Sequence, residues 1–458
     1  MTKISRRSLL KKTVAIVLPT IVPASVLGRS AVAPSNKINI ASIGVGIMGT
    51  MNTKSFLALG DCKVTAVCDC IKNQRDKAKQ LVDKNYNNSD CKTYADFRDA
   101  LADSTIDAVM IATPDNWHAL ISLHAAKAGK DMYTEKALGL SVTEDIALRN
   151  AIKRHANIFQ FGTMQRSSEN FRFACQLVRN KKIGDLKTIY AGVPVGHTLP
   201  NQPTEPVPPG FDYEMWQGPA PRKPFSFQRC RPHSKKDGWS NWYHVADYCL
   251  GAVGGFWGIH HINIAQWANG TDHTGPVEIQ GSGTIPNDGL GDTITRWDAN
   301  LKYANGVTLN YMDCLTCHDR IKSIPHIEPN LPLLKQGENG IWGEGVLFVG
   351  TQGWIFVHRG GHIDAHPKSL LTTNFTHNDI QLIKSTNHHQ NFLNAVKNRS
   401  KTICDIESSV RTDTICHLTN IAVRLNRKLK WNPKTESFNN GHIADKFLSR
   451  PMTTPWTI

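Results

Sequence analysis

The first third of the chain alternates short apolar runs with longer amphipathic stretches. The runs are rich in β-branched residues, have the length of strands buried on both faces, and lie at 37–43, 64–68, 106–112 and 131–134. Helical patterns separate them, and Ser141 followed by Glu144 three residues later predicts the start of a helix that extends to about His155. Strands that alternate with helices predict a parallel, doubly wound sheet whose ligands lie beyond the carboxyl ends of the strands.

The pattern changes from about residue 159. A helix is predicted at 169–179 and a strand at 186–193, and a proline-rich loop then runs from 194 to 232. A loop of that length is expected to cover a site or to bury an interface. The later elements are strands with alternating apolar and polar positions, typical of a mainly antiparallel sheet with one solvated face, and two helices, predicted at 277–283, 293–303, 307–312, 345–349, 354–358, 389–398 and 408–425.

A glycine-rich turn directly follows the first predicted strand. It reads Gly44-Val45-Gly46-Ile47-Met48-Gly49, and the second strand ends on Asp69, 20 residues after the last of these glycines. Gly44 permits a tight turn, Gly46 removes a side chain that would block a pyrophosphate, and Gly49 lets helix and strand pack closely. Ile47 and Met48 open the helix whose N-terminal N–H groups and dipole favour an anion. Asp69 is placed to accept hydrogen bonds from the adenosine ribose, which favours NAD over NADP.

The 458 residues are too many for one ordinary core. We predict an α/β protein with an NAD(P)-binding Rossmann domain at 34–158, built on a doubly wound parallel sheet. A C-terminal α+β domain at 159–430 would hold a large, mainly antiparallel open sheet, and a tail occupies 431–458.

The formal charge of +15 raises the question of nucleic-acid binding. Six of the basic side chains lie within the first 29 residues, and no Asp or Glu occurs before Asp61. The other basic residues form no long run, so we expect a solvated basic surface and no nucleic-acid partner.

The first 33 residues have the features of a signal peptide. Ser5-Arg6-Arg7-Ser8-Leu9-Leu10-Lys11 is a twin-arginine pattern, and the apolar stretch at 13–27 that follows is interrupted by Pro19 and Pro23. That stretch is too short and too broken to span a bilayer comfortably. We therefore expect a periplasmic protein that is exported already folded, with no stable membrane span after cleavage, and that traps its nucleotide before export.

The eleven cysteines show no disulfide framework, since their number is odd and their spacing is irregular. Cys314, Cys317 and His318 match the C-x-x-C-H spelling of c-type haem attachment. Haem attachment and a zinc-like site are the alternatives to ordinary structural or loop residues, and the structural interpretation is favoured because no haem-sized domain surrounds the motif. We predict no metal ligands.

Two clusters carry candidate chemistry. Lys136, with Glu135 beside it, ends a strand at the edge where the cofactor would lie, and a buried lysine there could hold a substrate hydroxyl and carry its proton. An ordinary surface lysine is the alternative. In the second cluster His260 stands at the start of a helical pattern, and an imidazole exchanges protons near neutral pH; a buried core histidine is the alternative. Just upstream, Tyr243, His244 and Asp247 belong to an aromatic and polar set suited to gripping a sugar.

These residues give the chain a resemblance to the Gfo/Idh/MocA oxidoreductases, which include glucose–fructose oxidoreductase-like enzymes. The resemblance rests on the glycine turn with Asp69 and on the segments 113–118, 135–136, 162–166, 260–267 and 416–421. It implies Lys136 as catalytic lysine with His260 as its partner, and homo-oligomers formed through the open sheet. It also implies a nicotinamide site near Thr113, Asn116, Trp117, His118, Glu135 and Gln165, and substrate contacts from Arg166, Tyr243, His244, Asp247, His260 and His261.

The chain departs from the family pattern at three positions. Ala137 replaces a proline after the lysine, and Asn263 stands where an aspartate is common. Phe256 occupies the position of an acid that many members carry four residues before the histidine. An apolar ring cannot relay a proton, so Lys136 and His260 would act alone or with Asp247.

The resulting hypothesis is an NAD(H)-dependent oxidoreductase that transfers hydride between a retained nicotinamide and a hydroxyl carbon of a sugar or sugar-like polyol. One alternative is an NAD-dependent glycosidase that acts by transient oxidation and elimination. A second alternative is a non-catalytic sugar-binding protein with a vestigial nucleotide site.

Overall fold

The computed structural model describes residues 36–230, 241–327, 331, 343–439 and 442–458. The predicted twin-arginine signal peptide lies outside these ranges. Within them, no helix combines the length and the apolar character needed to cross a bilayer.

The first domain is built on a six-stranded parallel sheet. Its strands are β1 (Ile38–Ile43), β2 (Cys62–Cys68), β3 (Lys92–Tyr94), β4 (Ala108–Ile111), β5 (Asp131–Thr134) and β6 (Phe159–Phe161). They are ordered β3-β2-β1-β4-β5-β6, and every neighbouring pair is parallel. The helices between them are α1 (Ile47–Leu57), α2 (Lys72–Tyr86), α3 (Phe97–Ala102), α4 (Asp115–Lys127) and α5 (Val142–His155). The predicted doubly wound sheet is confirmed.

The ends of this domain follow local sequence chemistry. The Ser141 hydroxyl caps α5 by accepting from the Glu144 backbone N–H, and the Glu144 carboxylate accepts in return from the Leu140 backbone N–H at 3.1 Å. The first domain was predicted to end at residue 158. Strand β6 begins at Phe159 and still belongs to the first sheet, because Phe159 pairs with Met132 of β5.

The second domain carries a nine-stranded mixed sheet. Its strands are β7 (Leu186–Val193), β8 (Pro276–Thr284), β9 (Arg296–Tyr303), β10 (Thr308–Asp313), β11 (Gly345–Gly350), β12 (Trp354–Val357), β13 (Ile363–His366), β14 (Leu429–Asn432) and β15 (Ser437–Phe438). The order is β13-β12-β11-β7-β10-β9-β8-β14-β15, and only the β7–β10 pair is parallel. The predicted, mainly antiparallel sheet is confirmed.

The remaining helices flank this sheet and the junction between the domains. They are α6 (Glu169–Arg179), α7 (Tyr213–Gln217), α8 (Phe227–Cys230), α9 (Gly258–Asn269), α10 (Cys314–Ile321), α11 (His388–Asn398), α12 (Ile406–Leu425) and α13 (His442–Asp445). The Cys314–His318 motif begins α10, with Cys314 and Cys317 both buried. Cys317 packs in an apolar cluster with Met312 and Phe356, where burial raises the pKa of its thiol well above the usual range. It therefore serves as a small hydrophobic side chain.

The C-terminal part of the chain also packs against the first domain. Phe392 of α11 lies 6.2 Å from Phe56 of α1 between ring centroids, on the outer face of the first sheet. In the tail, which begins within β14, the Trp456 ring lies 4.8 Å from that of Trp117 on α4. The two sheets are thus joined by continuous apolar packing, which positions the groups at their junction.

Candidate active site

The three glycines of the turn after β1 have distinct local environments. Gly44 has φ +76°, and a Cβ there would lie 2.7 Å from the backbone of Ala112. A Cβ on Gly49 would lie 1.8 Å from the Gly44 carbonyl oxygen, so this contact requires glycine. A Cβ on Gly46 would meet no atom within 4 Å. Gly46 therefore borders open space where the backbone can approach a ligand closely.

The N-terminus of α1 faces that space without a competing anion. Its first turn contains no acidic residue, and Gly46 supplies no side-chain cap. Asp69, at the end of β2, accepts from the backbone N–H groups of Val45 and Ile71, both at 2.9 Å. Burial raises the pKa of Asp69, and these two hydrogen bonds oppose that rise. Its oxygens retain lone pairs for the hydroxyl groups of a ribose, as NAD requires.

A cavity of about 500 Å³ extends from the glycine turn across the carboxyl edge of the first sheet. The predicted site residues that line it are Gly44, Gly46, Ile47, Met48, Asp69, Thr113, Trp117, His118, Glu135, Lys136 and Tyr243. One continuous space therefore joins the ribose-binding end to the candidate catalytic lysine, and its shape and polar groups fit a dinucleotide.

The long loop after β7 covers this cavity, as the sequence predicted. The Lys72 backbone N–H donates to the Gly210 carbonyl at 2.8 Å, and the Asp212 N–H donates to the Cys70 carbonyl at 3.1 Å. These bonds hold the loop across the end of β2. Its apolar residues, which include Phe211 and Trp216, line the cavity and form a separate hydrophobic cluster.

Lys136 lies at the inner end of the cavity. Its Nζ donates to the Gly255 carbonyl at 2.6 Å and lies 5.4 Å from the centre of the Tyr243 ring. The Glu135 Oε1 accepts from the Asn52 amide at 2.9 Å, and its Oε2 accepts from the Lys136 backbone N–H at 3.3 Å. A Cβ on Gly162 would lie 2.8 Å from the Glu135 carboxylate, so the next strand passes close behind this residue.

Asp115 is a functional candidate that the sequence analysis missed. It is 1% exposed and lines the same cavity, where the Cys249 thiol hydrogen-bonds to its carboxyl group and its Oδ2 faces Gly255. A Cβ on Gly255 would lie 2.2 Å from that oxygen, so Asp115 and the Lys136 amine meet at the same residue. Burial raises the pKa of Asp115 to about 7, although the charge of Lys136 opposes the rise. The sequence feature that could have identified Asp115 is its position as the first residue of α4, directly after β4.

His260 lies beside this group, outside the residues that line the 500 Å³ cavity. Its Nδ1 is buried without a hydrogen-bond partner in the described part of the chain. Burial, followed by the charges of Arg359 and Lys136, lowers its pKa well below the usual value, so the imidazole is neutral. Gln165, with its amide oriented to satisfy both neighbours, donates to the His260 carbonyl at 2.8 Å and accepts from Arg359 Nε at 3.1 Å. Gln165 and Arg359 also line a second cavity of about 840 Å³.

Two of the predicted nicotinamide-site residues are held by protein groups. The ring nitrogens of His118 lie 2.6 Å from the Ala137 carbonyl and 2.9 Å from the Thr113 carbonyl, so His118 connects the two loops that carry the site. The Asn116 amide donates to the Gln217 carbonyl at 2.9 Å, which ties α4 to the covering loop.

Four of the predicted substrate contacts lie away from the cavity. Arg166 is saturated by Asn263 at 2.7 Å and Asp272 at 2.7 Å, within the packing of α9. His261 Nε2 contacts the Glu344 carboxylate at 3.2 Å. The ring of His244 stacks edge-on against that of His197, and Asp247 lies 3.7 Å from Arg450. Their part in substrate binding stays a prediction, because these contacts concern the protein's own groups and no residue of the four lines the cavity.

Two family models match the chain. An oxidoreductase family model with an NAD-binding Rossmann fold matches residues 38–163, and the corresponding C-terminal alpha/beta domain model matches residues 190–330 and 367–458. The chain belongs to the Gfo/Idh/MocA oxidoreductase family. The predicted NAD-binding domain is thereby confirmed.

Relatives within the Gfo/Idh/MocA family differ in activity. A myo-inositol 2-dehydrogenase from Thermotoga maritima is 26% identical over 176 residues, covering 38% of this chain and 48% of the relative. A glycosyl hydrolase family 109 protein from Stenotrophomonas maltophilia is 27% identical over 372 residues, covering 74% of this chain and 73% of the relative. The dehydrogenase match therefore spans about half the length of that relative.

A solved structure from the Gfo/Idh/MocA fold group agrees with the architecture. Scyllo-inositol dehydrogenase from Lactobacillus casei, with bound NAD(H) and scyllo-inositol, matches with a TM-score of 0.55 at 18% identity. The match covers 86% of this chain and 99% of the other. At this identity the similarity establishes the fold.

Phe256, where many Gfo/Idh/MocA members carry an acid, packs among aromatic rings. Phe256, in place of the acid, lies 5.5 Å from Tyr243 and 5.8 Å from Trp257 between ring centroids. Two other buried carboxyl groups, those of Asp115 and Glu135, interact with the charge of Lys136.

Proposed function

We propose that the protein is an NAD(H)-dependent oxidoreductase that acts on a hydroxyl carbon of a sugar or sugar-like polyol. The observation that carries the proposal is the single cavity that joins Asp69 and the glycine turn to Lys136. The Tyr243 ring beside the Lys136 amine supports a carbohydrate substrate, because an aromatic face next to a hydrogen-bonding group suits the alternating apolar and hydroxyl faces of a sugar.

In the proposed reaction, Lys136 first passes a proton to the Asp115 carboxylate, and the neutral amine then holds the substrate hydroxyl and accepts its proton as the carbon is oxidised. When bound, NAD supplies the hydride acceptor. By taking a proton from Lys136, Asp115 fills the role of the acid that is missing at position 256. With a pKa of about 7, Asp115 exists in both protonation states near neutral pH, so it can hold a proton and release it. His260 adds a neutral imidazole beside the pair.

We also propose that the cofactor stays bound between turnovers. The covering loop is fastened by main-chain hydrogen bonds at Gly210 and Asp212, and release of a dinucleotide would require these bonds to open. Retention agrees with the proposed export of the folded protein to the periplasm, where little free nucleotide is expected. A retained cofactor is recycled within the site, so oxidation of one substrate would be coupled to reduction of another.

The test begins with mass spectrometry of the purified native protein for a co-purifying nicotinamide nucleotide. A panel of sugars and polyols is then added while the absorbance of reduced nicotinamide is followed. We expect bound NAD and its reduction by one substrate class. Lys136→Met should keep the nucleotide and lose turnover, whereas Lys153→Met on the exposed face of α5 should behave as wild type. Wild-type protein that binds NAD but never exchanges a hydride would favour the non-catalytic sugar-binding alternative.

A second candidate function is supported by the similarity to the glycosyl hydrolase family 109 protein, which covers 74% of this chain. Such an enzyme would oxidise a sugar transiently, eliminate the glycosidic substituent and restore the cofactor. Both functions use the same lysine and the same cofactor, and they differ in their products. A glycosidase releases an aglycone from a chromogenic glycoside with no net accumulation of reduced or oxidised substrate, whereas the oxidoreductase yields a carbonyl product.

A further inference from the structure

A buried cluster of three metal-ligating side chains lies behind the loop that follows Lys136. Asp145 belongs to α5 in the first domain, and Asp413 and His417 lie one turn apart on α12 in the second domain. One potential ligand atom from each residue lies within 4.8 Å of the others, and all three residues are buried. Neither the glycine turn nor the cavity at Lys136 includes any of them.

Four polar atoms in this cluster have no hydrogen-bond partner among the described residues. They are both carboxylate oxygens of Asp145, the Oδ1 of Asp413 and the Nε2 of His417. His417 Nε2 and Asp145 Oδ2 are 3.3 Å apart but are not oriented as a hydrogen bond. Buried polar atoms are almost always satisfied, so unpartnered atoms on three residues whose ligand atoms lie within 4.8 Å of one another indicate a missing ligand.

Backbone groups of the loop after Lys136 border the cluster on one side. The second oxygen of Asp413 accepts from the backbone N–H groups of Leu138 at 2.7 Å and Gly139 at 3.2 Å. Its Oδ1 is thereby directed away from these donors. Gly139 has no side chain, and a Cβ there would lie only 2.7 Å from Asp145 Oδ1. The loop thus closes the site with backbone alone.

We propose that Asp145, Asp413 and His417 bind one divalent transition-metal ion of the zinc or manganese class. Two carboxylate oxygens with one imidazole nitrogen form a mixed set that suits these ions better than magnesium or calcium, which prefer oxygen ligands alone. A bound ion would accept lone pairs from the unpartnered oxygen and nitrogen atoms of these three residues. Its two positive charges balance the two ionised carboxylates, while the imidazole remains neutral.

The electrostatics of the cluster agree with a bound cation. Glu144 precedes Asp145 in the chain and is also buried, so the cluster and its neighbour contain three buried carboxyl groups. Glu144 itself is engaged by the Leu140 N–H and the Ser141 hydroxyl. Three acids therefore share this buried region without a direct Lys or Arg partner among the described residues.

The site would link the catalytic loop to both domains. The ion joins α5 to α12, and Asp413 also holds the backbone of Leu138 and Gly139, which closely follow Lys136. A metal here acts as a structural clamp that positions the loop and does not contact substrate. This role is independent of which reaction the protein catalyses.

The test is metal analysis of the full-length protein after separate equilibration with Zn²⁺, Mn²⁺, Mg²⁺ and Ca²⁺ and removal of free ions. We expect about one equivalent of Zn²⁺ or Mn²⁺ in the wild type and a loss of about 10-fold or more in affinity in Asp145→Asn and His417→Gln. Glu144→Gln is the matched control, because it alters the neighbouring carboxyl while keeping its hydrogen bonds, and it should retain the ion.

A second measurement does not depend on the folding of any variant. A chelator should lower the melting temperature of the wild type, and re-addition of the bound ion should restore it. The proposal is overturned if the wild type carries none of the four ions above background and the chelator does not change its melting temperature. It is equally overturned if Asp145→Asn and His417→Gln fold and keep the wild-type metal content, since the ion would then lie elsewhere.

Discussion

Replacement of Asp115 by asparagine should change how the stability of the protein depends on pH. In the folded chain the pKa of this carboxyl is raised from its ordinary value of 3.8 to about 7, and burial is the largest cause. As pH rises from about 4 to about 7, the unfolded chain releases this proton while the folded chain retains it. The free energy of unfolding therefore falls across that window because of Asp115.

The size of the effect follows from the difference between the two pKa values. Each pH unit of separation is worth about 1.4 kcal/mol, so the carboxyl destabilises the folded state by about 4 kcal/mol at and above pH 7 relative to pH 4. Solvent screening does not reduce this value, because the side chain is only 1% exposed. Asparagine has nearly the same shape and does not titrate, so Asp115→Asn should lack this loss.

The assay is urea denaturation of the wild type and the variant at intervals between pH 4 and pH 8, with the difference in unfolding free energy plotted against pH. Titration of all other groups cancels in that difference. We expect the variant to gain stability over the wild type as pH rises. Asp185→Asn provides a control of opposite sign, because a hydrogen bond from the exposed Lys181 lowers the pKa of Asp185.

Parallel curves for wild type and Asp115→Asn would refute the reasoning. That result would mean that the Asp115 carboxyl ionises in the folded protein as it does in the unfolded chain. The proposed proton transfer from Lys136 to a group that titrates near neutral pH would then lose its basis, and the pH profile of turnover in Asp115→Asn would match that of the wild type.

Lys136→Met should lower turnover by about 10² to 10⁴-fold, the usual contribution of a positioned acid–base group, with the bound nucleotide retained on mass spectrometry. Gly46→Val should fold with a wild-type melting temperature but lose bound NAD, because the added side chain enters the open space of the cofactor site. Gly49→Ala should instead melt at lower temperature, since its Cβ meets the Gly44 carbonyl. Asp69→Ala should weaken NAD binding and reduce the preference of the protein for NAD over NADP. Calorimetry with the nucleotide-free protein measures both affinities. Light scattering after gel filtration should show a homo-oligomer, and a monomer at micromolar concentration would contradict assembly through the open sheet.

Local sequence determined the first domain well. The glycine turn and the alternation of apolar strands with helices depend on contacts between neighbours in the chain, so β1, β5 and α5 could be predicted close to their observed positions. The short edge strand β13 was missed, because it is stabilised by pairing with β12 and carries little apolar pattern of its own. The Cys314–His318 motif was interpreted as structural or loop residues at the end of a strand, and the structure shows that Asp313 caps it as the start of helix α10.

The residues of the candidate site also differ in how far the sequence could predict them. Residues that bind through the backbone or lie at the carboxyl ends of consecutive strands, such as Gly46, Asp69 and Lys136, were recognisable because sequence spacing alone brings them to one edge. Arg166 and Asp247 looked equally polar, yet neither lines the cavity, and each lies next to an oppositely charged residue far along the chain.

The sequence by itself determined the fold class, the cofactor and the lysine at the sheet edge, because each of these follows from periodicity and spacing within about 30 residues. Only the tertiary structure decided which acid stands beside that lysine and which buried acids share a site with His417. Gly255 meets Asp115, and Asp145 meets Asp413, across the junction between the two domains. Contacts of that range depend on how two sheets pack together, and no local pattern encodes them.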